Sequence, residues 1–130
     1  MTTLQQRLAD VLDGVMTVTQ EDDGALTVQH DGTFASLRVV FVADGLELVS
    51  LSQILAWDVP LDRRIRARIA EQTRNTMLGT VTLIEKKRIG EVLLRYNFPG
   101  TGLSDDALRT LILMVLSTGA EVRRTLTAGG

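Results

Sequence analysis

Residues 26–57, LTVQHDGTFASLRVVFVADGLELVSLSQILAW, decide the fold of this chain. Apolar and polar side chains alternate along most of this stretch, which two Asp-Gly pairs interrupt, Asp31–Gly32 and Asp44–Gly45. An Asp-Gly pair between alternating runs is a strong signal for a tight β-hairpin, and strands joined by so short a turn are antiparallel. The stretch therefore predicts an antiparallel meander, which starts near Val15 and ends with 46–57 as one long strand or two short ones.

Three segments around the meander have apolar residues at helical spacing. The first spans 3–13, the second about 61–75 and the third about 104–127. A Thr-x-x-Gln capping box starts the first segment, and Ser104 followed by two aspartates starts the third. Two further alternating runs, with a turn at 85–90 between them, lie between the second and third helices.

The order of these elements is α-β-β-β(-β)-α-β-β-α. Helices grouped around an antiparallel sheet form an α+β domain, so we predict a twisted antiparallel sheet of five or six strands with three helices. The strand that contains 37–42, LRVVFV, is largely apolar on both faces. A length of 130 residues suits a single domain over 1–130, with only a short tail at 128–130.

The composition excludes several classes of protein. The chain has 14 basic and 16 acidic residues, one histidine and no cysteine. Without cysteine there are no disulfides, thiolate metal sites or thiol nucleophiles, which fits a reducing cytoplasm. The net charge of −2 gives no general attraction to nucleic acid or anionic membranes. The longest apolar run, Leu111 to Leu116, is far shorter than the roughly 20 residues of a membrane span. We therefore expect a cytoplasmic protein with no membrane partner.

The residues that suggest chemistry have simpler explanations. His30 is a potential general base, but it stands beside a turn without a nucleophile motif. The acidic groups at 21–23 and 105–106 lack the spacing of a calcium loop and suit a turn and a helix start. The loop 99–102 precedes a helix but lacks the Gly-Lys-Ser/Thr string of a phosphate loop. We therefore predict no catalytic residue, no cofactor, no metal and no enzyme activity.

Basic residues gather in two places. The second helix carries Arg63, Arg64, Arg66 and Arg68, and the later turn contains Lys86–Arg88. Together they could contact phosphates or an acidic peptide, or they could form an ordinary solvated surface. The aromatic content of 4% leaves few rings for base stacking, which argues against nucleic acid.

Three apolar residues are candidates for contacts with other chains. Leu113 and Met114 lie off the main apolar stripe of the last helix, which is too broad for one sheet face to cover. We therefore predict that Leu113 and Met114 form a subunit interface. Trp57 is a candidate anchor for a partner, but tryptophan is more often part of the core, and we expect a core position for it.

Several strings in this order resemble the YbjN family, which shares the type III secretion chaperone-like fold. They are Ala56–Pro60 before the second helix, Arg74–Gly79 before the next strand, Val92–Phe98, and Gly102–Ser104 before the last helix. The resemblance covers nearly the whole chain and is firmest over 54–126. It implies a curved sheet flanked by helices, usually in a homodimer, and it brings no catalytic residues.

The family resemblance also implies a function. Its members are regarded as chaperone-like or peptide-binding modules, and several are named as sensory or regulatory proteins. The chain lacks the strongly acidic surface of secretion chaperones, which favours the wider family. We predict a non-enzymatic module that binds a protein or peptide segment in an apolar groove or at a strand edge. Arg63 and Arg66 would favour acidic segments. A homodimer is expected, with a heterodimer with a related chain left open, and the alternative is a regulatory protein that contacts nucleic acid through the basic helix.

Overall fold

Three helices and six strands make up the part of the chain, residues 3–127, that the computed structural model describes. The predicted tail at 128–130 lies outside the described residues. The elements are α1 (Leu4–Leu12), β1 (Thr17–Gln20), β2 (Leu26–His30), β3 (Thr33–Ala43), β4 (Leu46–Pro60), α2 (Arg63–Asn75), β5 (Thr80–Lys86), β6 (Ile89–Pro99) and α3 (Asp105–Thr127). The predicted order is confirmed, with four strands before α2.

The six strands form one antiparallel sheet in the order β1-β2-β3-β4-β6-β5. The hairpins at Asp31–Gly32 and Asp44–Gly45 are present as predicted, because both glycines adopt the positive φ that such turns need. The residues 46–60 form one long strand rather than two. The fold class is therefore α+β, with a six-stranded antiparallel sheet and three helices.

The helices begin where local hydrogen bonds start them. The capping box of α1 is present, since Thr3 and Gln6 exchange backbone and side-chain hydrogen bonds of 3.1 Å. Helix α2 begins two residues later than predicted. Leu61 is held to the sheet because its N–H donates to the Arg88 carbonyl oxygen at 3.0 Å, and Asp62 is the N-cap. The Ser104 hydroxyl accepts a hydrogen bond from the Ala107 N–H at 3.1 Å, as the predicted N-cap of α3.

The helices cover only one face of the sheet. One row of directly paired residues across five strands is buried in the core: Val28, Ala35, Gln53, Leu94 and Val81. The next row along the same strands points to the other face and is exposed or half-buried: Thr27, Ser36, Ser52, Arg95 and Thr80. Buried residues of all three helices belong to the same core, including Leu8, Ile69 and Ile112. The molecule therefore has two layers, with a hydroxyl-rich outer sheet face.

Candidate binding site

A groove lies between the end of α2, the segment that joins α2 to β5, and the middle of α3. It encloses about 670 Å³, a volume within the usual range of roughly 300–1,000 Å³ for ligand sites. Its lining is a mixture of apolar and polar side chains, with one carboxylate: Gln72, Asn75, Thr76, Met77, Leu78, Met114, Thr118, Glu121, Val122 and Thr125. We call this the α2–α3 groove.

The segment that carries Met77 is held in place on both sides. At the end of α2, the Thr76 N–H and hydroxyl both donate to the Gln72 carbonyl oxygen, at 3.0 and 2.6 Å. Gly79 has a φ of +87°, and a Cβ at this position would lie 2.9 Å from the Arg95 carbonyl oxygen. Only glycine fits so close to β6 in this conformation. Met77 is nevertheless 95% exposed, so a fixed backbone presents its side chain to solvent.

The α3 wall of the groove is built from residues next to the buried stripe of the helix. Val122 is buried and Met114 is 51% exposed, so the wall joins the core to the surface. The Thr118 hydroxyl donates to the Met114 carbonyl oxygen at 2.9 Å, and the Thr125 hydroxyl donates to the Glu121 carbonyl oxygen at 3.2 Å. Both hydroxyls therefore donate within α3, and Glu121 is the charged residue that this helix contributes among the described lining residues.

The groove offers little for catalysis. Of the described residues that line it, Glu121 alone is ionisable. General acid–base catalysis and nucleophilic catalysis need a second positioned group, such as a base next to a nucleophile. The groove can therefore bind apolar groups and one cation, and we derive no reaction from it.

The predicted interface residues stand beside this groove. Met114 lines it, and Met114 and Thr118 also line a shallower hollow that includes Leu113. Leu113 is half-buried, and neither residue belongs to the buried stripe of α3. Their position off the stripe is as predicted. The subunit interface itself stays a prediction.

Trp57 is not in the core, and this expectation was wrong. Its side chain is 53% exposed. The pairing of β4 with β6 shifts register between Ile54 and Ala56 and again between Ala56 and Val59, and Asp58 has a φ of +55°. Two bulges thus interrupt the alternation that buries Gln53 and Leu55 earlier in β4, and the frequent burial of tryptophan does not hold at this position. Trp57 therefore lies at the exposed end of β4.

Arg63 and Arg66 lie at the start of α2, away from the groove. The Arg66 guanidinium pairs with the Glu85 carboxylate of β5 at 2.6 Å. Arg66 and Asn75, a groove residue, are nine positions apart, which places them on opposite sides of the helix. The hydrogen bond from Leu61 to Arg88 brings the start of α2 to the turn between β5 and β6. We call the surface formed by Trp57, 63–68 and 86–89 the basic end.

The basic end also carries carboxylates. Glu85 pairs with Arg66, and Lys86 Nζ lies 3.6 Å from a Glu91 carboxylate oxygen. Ile89 is 41% exposed beside the end of β4, where it pairs with Pro60. The structure thus brings the two predicted basic groups together, near Trp57, but part of their charge is neutralised.

Sequence reasoning missed two features of the surface. Met77 was predicted only as part of a string before β5, and nothing in that string signals its exposure. The hairpin that joins β3 to β4 exposes large apolar side chains: Val40, Phe41, Val42 and Leu46. The apolar run on both faces of β3 was the available signal. His30, by comparison, is half-buried at the end of β2, where its carbonyl oxygen accepts a 2.6 Å hydrogen bond from the Thr33 hydroxyl.

Comparisons with known proteins identify the fold. No protein-family model and no curated sequence matches the chain. Among solved structures, it is similar to YbjN from E. coli, which is described as a proposed transcription regulator. The TM-score is 0.61 at 13% sequence identity, over 89% of this chain and 85% of that chain. The chain therefore has a YbjN-like fold, as its sequence predicts. In the part of the chain that the structure describes, none of the helices has the length and apolar character to cross a membrane.

Proposed function

We propose that this chain is a non-enzymatic, chaperone-like module, homodimeric and cytoplasmic, that binds an apolar segment of another protein in the α2–α3 groove. The observation that carries the proposal is the pair of exposed methionines, Met77 and Met114, on two walls of one groove. The similarity to a protein described as a regulator supports a regulatory or binding role.

Two methionines suit a surface that must accept different apolar side chains. The side chain is unbranched and polarisable, so it can adapt its shape to the residue that it covers. Leu78, which is half-buried, and Val122, which is buried, also line the groove. An apolar residue of the partner that enters this space would remove both methionines from water. Burying one such side chain is worth about 1.5–3 kcal/mol before the cost of association.

The charge at the groove indicates the kind of segment that fits. Glu121 is the ionisable group there, so a lysine or arginine next to the apolar anchor would be favoured. Arg63 and Arg66 lie at the basic end instead. Any acidic segment that they bind would therefore be a second part of the partner, outside the groove. A groove segment would thus be amphipathic and basic.

A second candidate function is contact with nucleic acid at the basic end. The observation in its favour is the exposed Trp57 in the last part of β4, the strand whose end pairs next to the turn that carries Lys86, Lys87 and Arg88, since an exposed ring can stack on a base while cations contact phosphates. The pairing of Arg66 with Glu85 reduces the available charge. Loss of fluorescence of Trp57, the only tryptophan, on adding a mixed-sequence single-stranded DNA at low salt would support this candidate.

The groove proposal is tested by the affinity for a synthetic amphipathic peptide with leucines at helical spacing and flanking lysines. Met114→Asp should weaken binding about tenfold or more, because it places a charge against the apolar anchor. The matched control is Val15→Asp, at a residue of similar exposure, 50%, that does not line the groove. Equal affinities of the wild type and both variants, or no binding to the wild type, would reject the proposal.

A further inference from the structure

The outer edge of β3 is open over half its length. Pairing between β2 and β3 stops at Leu26 and Leu37, while β3 continues to Ala43. Residues 38–41 and Ala43 pair with β4 on one side, with Val42 as the extra residue of a bulge, and the pairing with β2 does not extend to them on the other side. A row of unpaired N–H and carbonyl groups of this kind can accept another strand.

Several large apolar side chains along this edge are exposed to solvent. Val40 is 44% exposed, Phe41 66% and Val42 51%, and Leu46 follows across the hairpin at 38%. Both faces of the strand are involved, because Val40 and Phe41 point in opposite directions. We call 38–46 the β3 tip. It holds four of the ten large apolar side chains that are exposed in the described part of the chain.

Natural edge strands are usually protected by charges, prolines or a covering element. At the β3 tip the charges are limited to two end features, Arg38, which pairs with Asp23 at 2.8 Å, and Asp44 in the turn, while a bulge between Phe41 and Ala43 interrupts the pairing with β4. The apolar stretch between these two features is left open. A second strand paired with this edge would cover these apolar side chains, which would explain why they are not protected within the single chain.

We infer that the covering strand is β3 of a second copy, paired antiparallel about a two-fold axis at Phe41. The inference rests on the homodimer proposed above and places its contact at the β3 tip. In this register Val40 of each copy lies opposite Val42, the bulge residue, of the other copy, and the two Phe41 residues lie opposite each other. Apolar and aromatic cross-strand pairs are the contacts that stabilise antiparallel strands. The two sheets become one continuous sheet.

Charge complementarity favours a second copy over an unrelated strand. With Phe41 on the axis, residue 38 of one copy lies opposite residue 44 of the other. Arg38, which pairs with Asp23 of its own chain, then also faces Asp44 in the turn after β3 of the other copy, and the symmetry repeats this arrangement at the opposite end of the contact. The stretch 38–44 is thus complementary to itself, apolar in the middle and oppositely charged at its ends.

This interface leaves the α2–α3 groove open. The alternative contact, through Leu113 and Met114, would cover a wall of the groove, and its surroundings are hydroxyl-bearing: Thr110, Ser117 and Thr118. A dimer through β3 lets each subunit keep a groove for its segment.

Disulfide trapping tests the register, because the chain contains no cysteine of its own. Two residues opposite each other on antiparallel strands have Cα atoms about 4.5–5.5 Å apart, which a disulfide can span. Phe41→Cys should give a covalent dimer on mild oxidation at micromolar concentration. Met77→Cys, exposed but remote from the β3 tip, should stay monomeric on a denaturing gel. Cross-linking of Met114→Cys instead of Phe41→Cys would overturn the inference in favour of α3.

Light scattering on the full chain supplies the second measurement. The wild type should have twice the chain mass, and Phe41→Lys should dissociate about tenfold or more readily without unfolding, since Phe41 is mostly exposed. A monomeric wild type would overturn the inference and leave the edge to a strand of a different protein. A Phe41→Lys variant that stays as dimeric as the wild type would also overturn it. Peptide binding in the groove, measured separately, is unaffected by either result.

Discussion

The side-chain amide of Gln53 fills the space that a side chain at Gly119 would need. Gln53 is fully buried on β4, and a Cβ on residue 119 of α3 would overlap its amide group. The Gln53 Nε2 donates to the Thr33 hydroxyl at 2.8 Å and to the Leu116 carbonyl oxygen at 3.1 Å. Its Oε1 has no hydrogen-bond partner among the described residues. A buried amide thus fixes how closely α3 approaches the sheet, and α3 is a wall of the groove.

Gly119→Ala should destabilise the protein, although alanine is the better helix former. The overlap with Gln53 forces a shift that typically costs about 1–3 kcal/mol, against a gain of about 1 kcal/mol in helix propensity. We expect a lower free energy of unfolding in urea. Gln53→Ser combined with Gly119→Ala should cost less than the sum of the two single changes. Additive costs would show that the two residues do not share this space.

Gln53→Met should be tolerated or stabilising. Methionine keeps the unbranched shape and removes the unpaired Oε1, whose burial costs about 1–3 kcal/mol. The Thr33 hydroxyl still donates to the His30 carbonyl oxygen, so no donor is stranded there. Urea unfolding should give a stability within about 1 kcal/mol of the wild type or above it. A loss of several kcal/mol would mean that the two hydrogen bonds of Gln53 are essential to the core.

Leu113→Asp with Met114→Asp should leave the domain folded. Both positions lie off the buried stripe of α3, so we expect a loss of at most about 1–2 kcal/mol, measured by thermal unfolding. Ile112→Asp is the matched control, because Ile112 is next to Leu113 in sequence but is fully buried, so this change should unfold the domain. If the double variant unfolds as well, the outer side of α3 is not free surface.

Trp57→Ala should cost little stability. A buried tryptophan replaced by alanine loses about 3–5 kcal/mol, whereas a half-exposed one at a strand end should lose about 1 kcal/mol. The fluorescence of Trp57 in the native wild type should also be quenched by iodide nearly as well as in the urea-unfolded chain. If iodide does not quench the fluorescence of the native protein, Trp57 is buried, which would contradict its exposed position.

The turn before β2 should become less stable at acidic pH, because the Asp23 carboxylate that supports it is then protonated. The Ala25 N–H and then Arg38 hold the pKa of this carboxyl below its ordinary value of 3.8. A lowered folded pKa means that the ionised carboxylate stabilises the turn above pH 3.8, and that this support is lost as the pH falls below it. An NMR titration of the Asp23 carboxyl should have its midpoint below 3.8, and Arg38→Gln should raise that midpoint. An unchanged midpoint would remove Arg38 as a cause.

The parts of the fold that depend on local chemistry could be predicted from the sequence. The Asp-Gly turns and the caps of α1 and α3 are set by residues within four positions of each other, so their patterns are visible in one stretch. Trp57 could not be placed, because the bulges at the end of β4 arise from pairing with β6. Periodicity assumes an unbroken strand.

The candidate site was harder to predict for a related reason. Met114 was singled out from its helix face, but the groove exists only because the end of α2 lies beside it. Arg63 and Arg66 are close to the groove residues in sequence and on the other side of the helix in space. The close approach of Gln53 to Gly119 joins residues that are 66 positions apart, and no pattern in the sequence predicts it.

The central claim is that the α2–α3 groove binds an apolar protein segment, and NMR of the methionine methyl groups tests it most directly. Met77 and Met114 line the groove, while Met16 packs against the core outside the groove lining and is an internal control. On titration with the lysine-flanked amphipathic peptide, the Met77 and Met114 methyl signals should shift together and saturate, and the Met16 signal should not move. Saturable binding that leaves the Met77 and Met114 signals in place would contradict the account.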